Sequence, residues 1–162
     1  LLSQNYYIDA IEMYKNPNSV LVVVYCQASR RVLMLQRQDD PTFWQSVTGS
    51  LEPDELPMQA ALREIKEEIG IDVIAEGLSL FDCNEWVEFE IFPHFRYKYA
   101  PNITHSIEHW FLLALPNERI PVLTEHTAFQ WLSISEATKL TKSWNNSALI
   151  EKYLFKLSAN NM

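Results

Sequence analysis

Apolar residues along this chain follow two spacings. From Pro57 to Ile69, the residues Met58, Ala61, Leu62, Ile65 and Ile69 recur at i, i+3, i+4, i+7 and i+11, the stripe that one face of an α-helix buries. Val20 to Tyr25 and Arg31 to Arg37 are instead dense short runs; in the second, Val32 and Met34 alternate with Leu33 and Leu35, so both faces of the strand are apolar. Phe43 to Val47 leads toward Gly49, and Asp72 to Phe81 reads as a strand region broken at Gly77. The segment VEFEIFPHFRYKYAP sets Val87, Phe89 and Ile91 against Glu88, Glu90 and Phe92 until Pro93 interrupts it, and His109 to Leu115 is expected to pair with it. Phe129 to Leu132 reads as a last strand. Two helices follow, Ser135 to Leu140 with Ser135 as its cap and Asn145 to Leu157 burying Leu149, Ile150, Tyr153 and Leu154, with a polar turn around Trp144 between them.

Composition narrows this picture. A chain of 162 residues, 48% hydrophobic, suffices for one substantial core, so a single domain over residues 1–162 is expected, with residues 1–18 as a lead-in. The run Val20 to Cys26 is too short to span a bilayer and no signal-peptide pattern precedes it, which points to a cytoplasmic protein with no membrane partner; Leu1 is not an initiator, so the natural start is expected to be missing or processed. Cys26 and Cys83 lack metal-ligand spacing and read as buried free thiols. A net charge of -8 argues against a nucleic-acid polymer as partner but leaves a phosphate substrate open, because metal bound to carboxylates reverses the local field.

The chemistry concentrates in GSLEPDELPMQAALREIKEEIGI, residues 49–71. On the predicted helix Glu64, Glu67 and Glu68 share an arc away from the apolar stripe, and three crowded carboxylates suit Mg2+ or Mn2+, hard cations that prefer oxygen. A solvated acidic helix face would explain an EIKEE run by itself. It does not explain Gly49, Glu55, Arg63 and Gly70 at their spacings, where Gly49 suits a tight turn and Gly70 a left-handed helix stop. Lys15 before the first strand and Arg37 at the end of the second are cations able to hold phosphate, with solvation and a salt bridge to Asp39 or Asp40 as their ordinary alternatives. Glu125 and His126 stand alone as polar loop residues.

Gly49, Glu55, Arg63, Glu64, Ile65, Glu67, Glu68, Gly70 and Ile71 together match the signature G-x5-E-x7-R-E-U-x-E-E-x-G-U, with U apolar, expected by chance on the order of once per billion windows. The chain therefore resembles the Nudix hydrolases. Two residues depart from the usual pattern: Asp54 where Gly is common, and Leu56 at the N-cap, a loss of about 1 kcal/mol relative to Ser or Thr.

The resemblance implies an α/β/α sandwich with a mixed β-sheet and hydrolysis of a nucleoside diphosphate linked to another group. It implies metal on Glu64, Glu67, Glu68 and Glu125, with Glu67 or Glu125 as the base, and Arg63 and Glu55 as braces. The carbonyl of Thr48 often joins the metal shell in this family. The segments YKNP, VLMLQR, DPTFWQSVTGS, VEFEIF, YAP, TEH and LTKSW extend the likeness to the Nudix enzymes of bacterial folate synthesis, which act on a pterin triphosphate. That branch implies substrate contacts from Lys15, Arg37, Thr48, Phe89, Glu90, Ile91, Phe92 and Ser143. A pyrophosphatase acting on dATP or 8-oxo-dGTP is the neighbouring reading, and a nucleotide-binding module without turnover is the reading from another class.

Overall fold

The computed structural model describes residues 14–159, with side chains through residue 155. The first 13 residues of the expected lead-in lie outside the described residues. The sheet is organised around β1 (Asn18–Cys26), which pairs in parallel with β6 (His105–Leu115) from Asn18↔Ile107 to Cys26↔Leu115. On its other side β1 meets β4 (Val47–Ser50) along its first half and β2 (Val32–Arg37) at Tyr25↔Val32, both antiparallel. The short β3 (Trp44–Gln45) and β7 (His126–Leu132) pair with β2, and β5 (Leu80–Glu90) pairs antiparallel with β6. Among the described residues this makes one mixed seven-stranded sheet.

Alternation along β1 divides the core. Val20, Val22 and Val24 face α1 (Pro57–Ile69) with Leu33, Leu35, Phe111 and Leu113, whereas Leu21 and Val23 face the opposite layer with Met34, Trp110 and Leu112. That opposite layer is α2 (Ile134–Leu140) and α3 (Trp144–Ala159), which bury Ile134, Ala137, Leu149, Ile150 and Leu154. Two helical layers over two apolar sheet faces give the α/β/α sandwich. Ala61, Ile65 and Ile69 of the α1 stripe are at most 1% exposed, and each of the isoleucines contributes about 1.5–3 kcal/mol by leaving water. Met58 and Leu62 pack at its margin.

Several local expectations are corrected. Residues 72–78 form turns rather than a strand, because the Asp72 carboxylate accepts from the Ala75 amide and Gly77 turns left-handed at φ 67°. The aromatic ribbon stops pairing at Glu90, and Pro93–Lys98 winds into a 3-10 helix. Helix α2 is capped by Ser133 and not Ser135, in a reciprocal box with Glu136. Trp144 opens α3 instead of sitting in a turn. At α1 the side-chain oxygen of Gln59 accepts the Leu56 amide at 2.8 Å, half a capping box that offsets part of what Leu56 cannot supply. Asp54 adopts φ 61°, the left-handed conformation its short polar side chain tolerates. Cys26 and Cys83 are buried free thiols.

Candidate active site

One guanidinium sets the passage from β4 into α1. Arg63 forks onto Glu55, with Nε donating to Oε2 at 2.8 Å and Nη2 to Oε1 at 2.9 Å, while Nη2 also donates to the Ser50 carbonyl at 3.0 Å. Its Nη1 reaches Glu64 Oε1 at 2.7 Å and Glu67 Oε2 at 3.1 Å. Loop and helix are thereby clamped to one rigid planar cation. Gly49 is required by close approach: a Cβ there would lie 2.2 Å from the carboxyl carbon of Glu64. Gly70 ends α1 left-handed at φ 73°, its amide donating to the Lys66 carbonyl at 3.0 Å.

The helix turn separates its three carboxylates by environment. Glu68 is 3% exposed and Glu64 8%, both packed toward β4, whereas Glu67 is open to solvent. Glu68 Oε2 accepts the Thr48 amide at 3.0 Å, and His126 Nε2 lies 3.9 Å from Glu68 Oε1. Burial pushes Glu64 up to about 7, against the pull of Arg63 and with repulsion from Glu67 and Glu125. Glu68 is raised well above the carboxylate range by burial first, then by the charges of Glu64 and Glu125. His126 begins β7 as a buried strand residue, not the loop residue expected; burial holds its imidazole down near 4, and its Nδ1 lacks a partner among the described residues.

Among the described residues no three His, Cys, Asp or Glu side chains are gathered closely enough to hold a metal ion as they stand. The donor chemistry nevertheless fits one. Two buried carboxylates repelled by a third, Glu125, and met by Arg63 at Glu64 and by the charge of Lys15, are relieved by a hard cation.

The cleft beside this floor has two communicating parts. Glu68, Glu125 and His126 line the first together with Lys15, Arg37 and Lys98. Arg37 forks onto Asp39 at 2.7 Å, donates to Gln45 Oε1 at 3.2 Å and lies over the Phe95 ring at 4.0 Å, so its expected alternative partner is made while its face still lines the cleft. Asp39 also binds Lys98, and the two cations hold its carboxyl well below the usual range. Lys15 is exposed as a residue, yet its ammonium is lowered by burial first and then by the neighbouring charges of Lys98 and Arg37. A row of cations that repel one another suits an extended anion.

Lys15, Arg37, Gln45, Thr48 and Lys98 also border the second part, which runs back among Phe43, Phe89, Ile91, Phe92, Phe95 and Tyr99. Ser143 reaches it, its hydroxyl donating to Asn145 Oδ1 at 2.6 Å. Glu90 does not line it and pairs outward with Arg96 at 2.5 Å. Thr48 borders both parts, its hydroxyl donating to the Val20 carbonyl at 2.9 Å. From sequence the ribbon rich in Phe, Tyr, Arg96 and Lys98 reads as a wall of the site, and Lys98 does line the recess, but sequence reasoning passed over Gln45, Glu108, Asn145 and Asn146 in the same wall. Only Glu108 carried a legible signal, a lone acidic residue in an apolar strand.

The chain is similar to known proteins in sequence and in fold. The NUDIX domain pattern matches residues 15–153. Dihydroneopterin triphosphate diphosphatase of Haemophilus influenzae is 61% identical over 144 residues, 89% of this chain and 91% of that protein. The structure of the Escherichia coli dihydroneopterin triphosphate pyrophosphohydrolase superposes with a TM-score of 0.88 at 58% identity, covering 89% of this chain and 99% of that one. A Caenorhabditis elegans Ap4A hydrolase is similar more distantly, with a TM-score of 0.70 at 27% identity over 88% of this chain and 98% of that one.

Proposed function

Because the chain belongs to the Nudix family, we propose that it hydrolyses dihydroneopterin triphosphate to dihydroneopterin monophosphate and pyrophosphate, a step of folate synthesis. The observation that carries the reading is the continuity of the cleft. A carboxylate floor opens through a neck of Lys15, Arg37 and Lys98 into an aromatic recess, the order of parts a triphosphate joined to a flat heterocycle requires.

The family generally works with a divalent metal. Glu64, Glu68 and Glu125 would hold Mg2+, or Mn2+ in its place, with Glu67 at the margin. When bound, that ion neutralises phosphate charge and lowers the pKa of a coordinated water. The chain's own residues supply the rest. Lys15, Arg37 and Lys98 hold the phosphates in line and take up charge as it develops on their oxygens. Arg63, anchored on Glu55, keeps the Glu64 carboxylate against Gly49. Glu125 lines the phosphate part of the cleft and Glu67 does not, so Glu125 is the better placed to accept the proton of the attacking water. A cytoplasmic setting belongs to the same reading; among the described residues no helix is long and apolar enough to cross a membrane.

The test is pyrophosphate release in Mg2+ from dihydroneopterin triphosphate, dATP and 8-oxo-dGTP in parallel. The expected result is the highest kcat/KM for the pterin. Faster turnover of either nucleotide would keep the Nudix chemistry and discard this substrate.

A further inference from the structure

Resting on that reading of the substrate, we infer that Glu108 selects the heterocycle, its Oε2 accepting from the N–H groups on the 2-amino-4-oxo edge of a pterin held in the aromatic recess. Glu108 stands in β6 with the parity of Trp110 and Leu112, facing α3, and it lines the recess while being only 3% exposed. Its Oε1 accepts from Asn145 Nδ2 at 2.6 Å and from Trp110 Nε1 at 3.3 Å. Among the described residues no donor is paired with Oε2. Oε2 is not sealed in the core but opens onto the recess, where the N–H groups of a ligand can reach it.

The surroundings hold this carboxylate in one orientation. The Ser143 hydroxyl donates to Asn145 Oδ1 at 2.6 Å, which turns the Asn145 amide nitrogen toward Glu108. Asn146 next to it is locked on Ser46, accepting the Ser46 amide at 2.8 Å and donating to its hydroxyl at 3.0 Å. Tying α3 to the sheet occupies Oε1 and leaves Oε2 for a ligand. Burial, which pushes Glu108 up to about 7 as the recess stands, is what N–H donors from a ligand would offset. A pterin presents two adjacent donors, N3–H and the 2-amino group. The corresponding edge of adenine presents a ring-nitrogen acceptor and a single amino donor, so a carboxylate oxygen favours the pterin.

Glu108→Gln gives a directional test. Asn145 and Trp110 both donate, so the amide oxygen must stay at the Oε1 position, and the amide N–H2 then faces the recess. In Mg2+, kcat/KM for dihydroneopterin triphosphate is expected to fall about 10- to 100-fold, chiefly through KM, because donor then meets donor. That for dATP is expected to hold or rise. Equal losses on both substrates would overturn the inference and reduce Glu108 to a structural tie. A second measurement needs no variant: the unaltered protein should prefer dGTP over dITP, which lacks only the 2-amino group, by about 10-fold or more. Equal rates on that pair would overturn the inference as well. Failure of the unaltered protein on dihydroneopterin triphosphate would instead sink the proposed function itself.

Discussion

At the phosphate end of the cleft, Glu64, Glu67 and Glu68 come from one stretch of helix, and the residues that hold them, Gly49, Glu55 and Arg63, lie in the same turn-and-helix unit. At the heterocycle end, Phe43, Ile91, Glu108 and Asn145 come from separate parts of the chain and meet only when the sheet is complete. The carboxylate floor of the first end is local and fixed by its own hydrogen bonds, although Lys15, Arg37, Lys98 and Glu125 reach that end from elsewhere in the chain. The second is assembled by tertiary packing. On the proposed reading, chemistry common to a family is written in the first and discrimination between substrates in the second.

The sharpest way to break this contrast is Glu68→Gln. Removing the charge of the innermost carboxylate is expected to lower kcat by about 10³-fold. Binding of neopterin at the far end, followed by fluorescence quenching, should be unchanged. Loss of pterin binding in that variant would mean that the two ends are not independent.

Gly49→Ala has the next largest effect. The new Cβ would sit 2.2 Å from the Glu64 carboxyl carbon, so Glu64 must shift, and a displacement of that kind costs about 10²-fold in kcat. The dGTP to dITP ratio, read in the same assay, should not move.

A third prediction treats both ends together. Burial pushes Glu64 and Glu108 up to about 7 from an ordinary 4.5 and raises Glu68 well above the carboxylate range. Each therefore binds its proton more tightly folded than unfolded, and the stability it contributes is lost as pH rises through the folded value. His126 works in the opposite sense between its ordinary 6.5 and its folded value near 4, so the carboxylates dominate above pH 6.5. Metal-free protein should lose on the order of 1–3 kcal/mol between pH 6.5 and 8, seen as a falling melting temperature. Added Mg2+ should recover that part of the loss arising at Glu64 and Glu68 and leave the part arising at Glu108. A melting temperature flat across this range without metal would contradict the burial assigned to all three.

The smallest effect tests the departure from the signature. Asp54 already holds φ 61°, so Asp54→Gly should change stability by no more than about 0.5 kcal/mol and leave kcat/KM unaltered. Chemical denaturation and the standard pyrophosphate assay check both.

These differences also explain what could be read before the fold was known. Helix α1 was legible to the residue because its stripe, its proline start and its glycine stop are all local signals. That the aromatic ribbon pairs with the next strand was legible from alternation but its register was not: Val87 to Glu90 meet residues 105–108, while residues 109–113 run against residues 80–86. The turn at residues 72–78 was not, since apolar Val73 and Ile74 imitate a strand while the Asp72 side chain bonds locally and wins. Ser133 was passed over for Ser135 although the sequence separates them: Glu136 stands three residues after Ser133, the spacing of a capping box, and Thr138 three after Ser135. The partners of Arg37 were half legible: Asp39 is a sequence neighbour, whereas the Phe95 ring beneath it arrives from the 3-10 segment. Asn145 and Asn146 looked like a polar turn because what they bind, Glu108 and Ser46, lies far away in the chain.

The parallel pairing of β1 with β6 has a bearing on how the protein is made. Asn18 waits for Ile107, so its partner leaves the ribosome roughly 5 to 20 s later. Throughout that interval the valine-rich β1 has neither its central neighbour nor the helices that cover its second face. A nascent chain arrested before residue 105 should accordingly be a substrate for chaperones, with its catalytic helix already encoded and no cleft for that helix to serve.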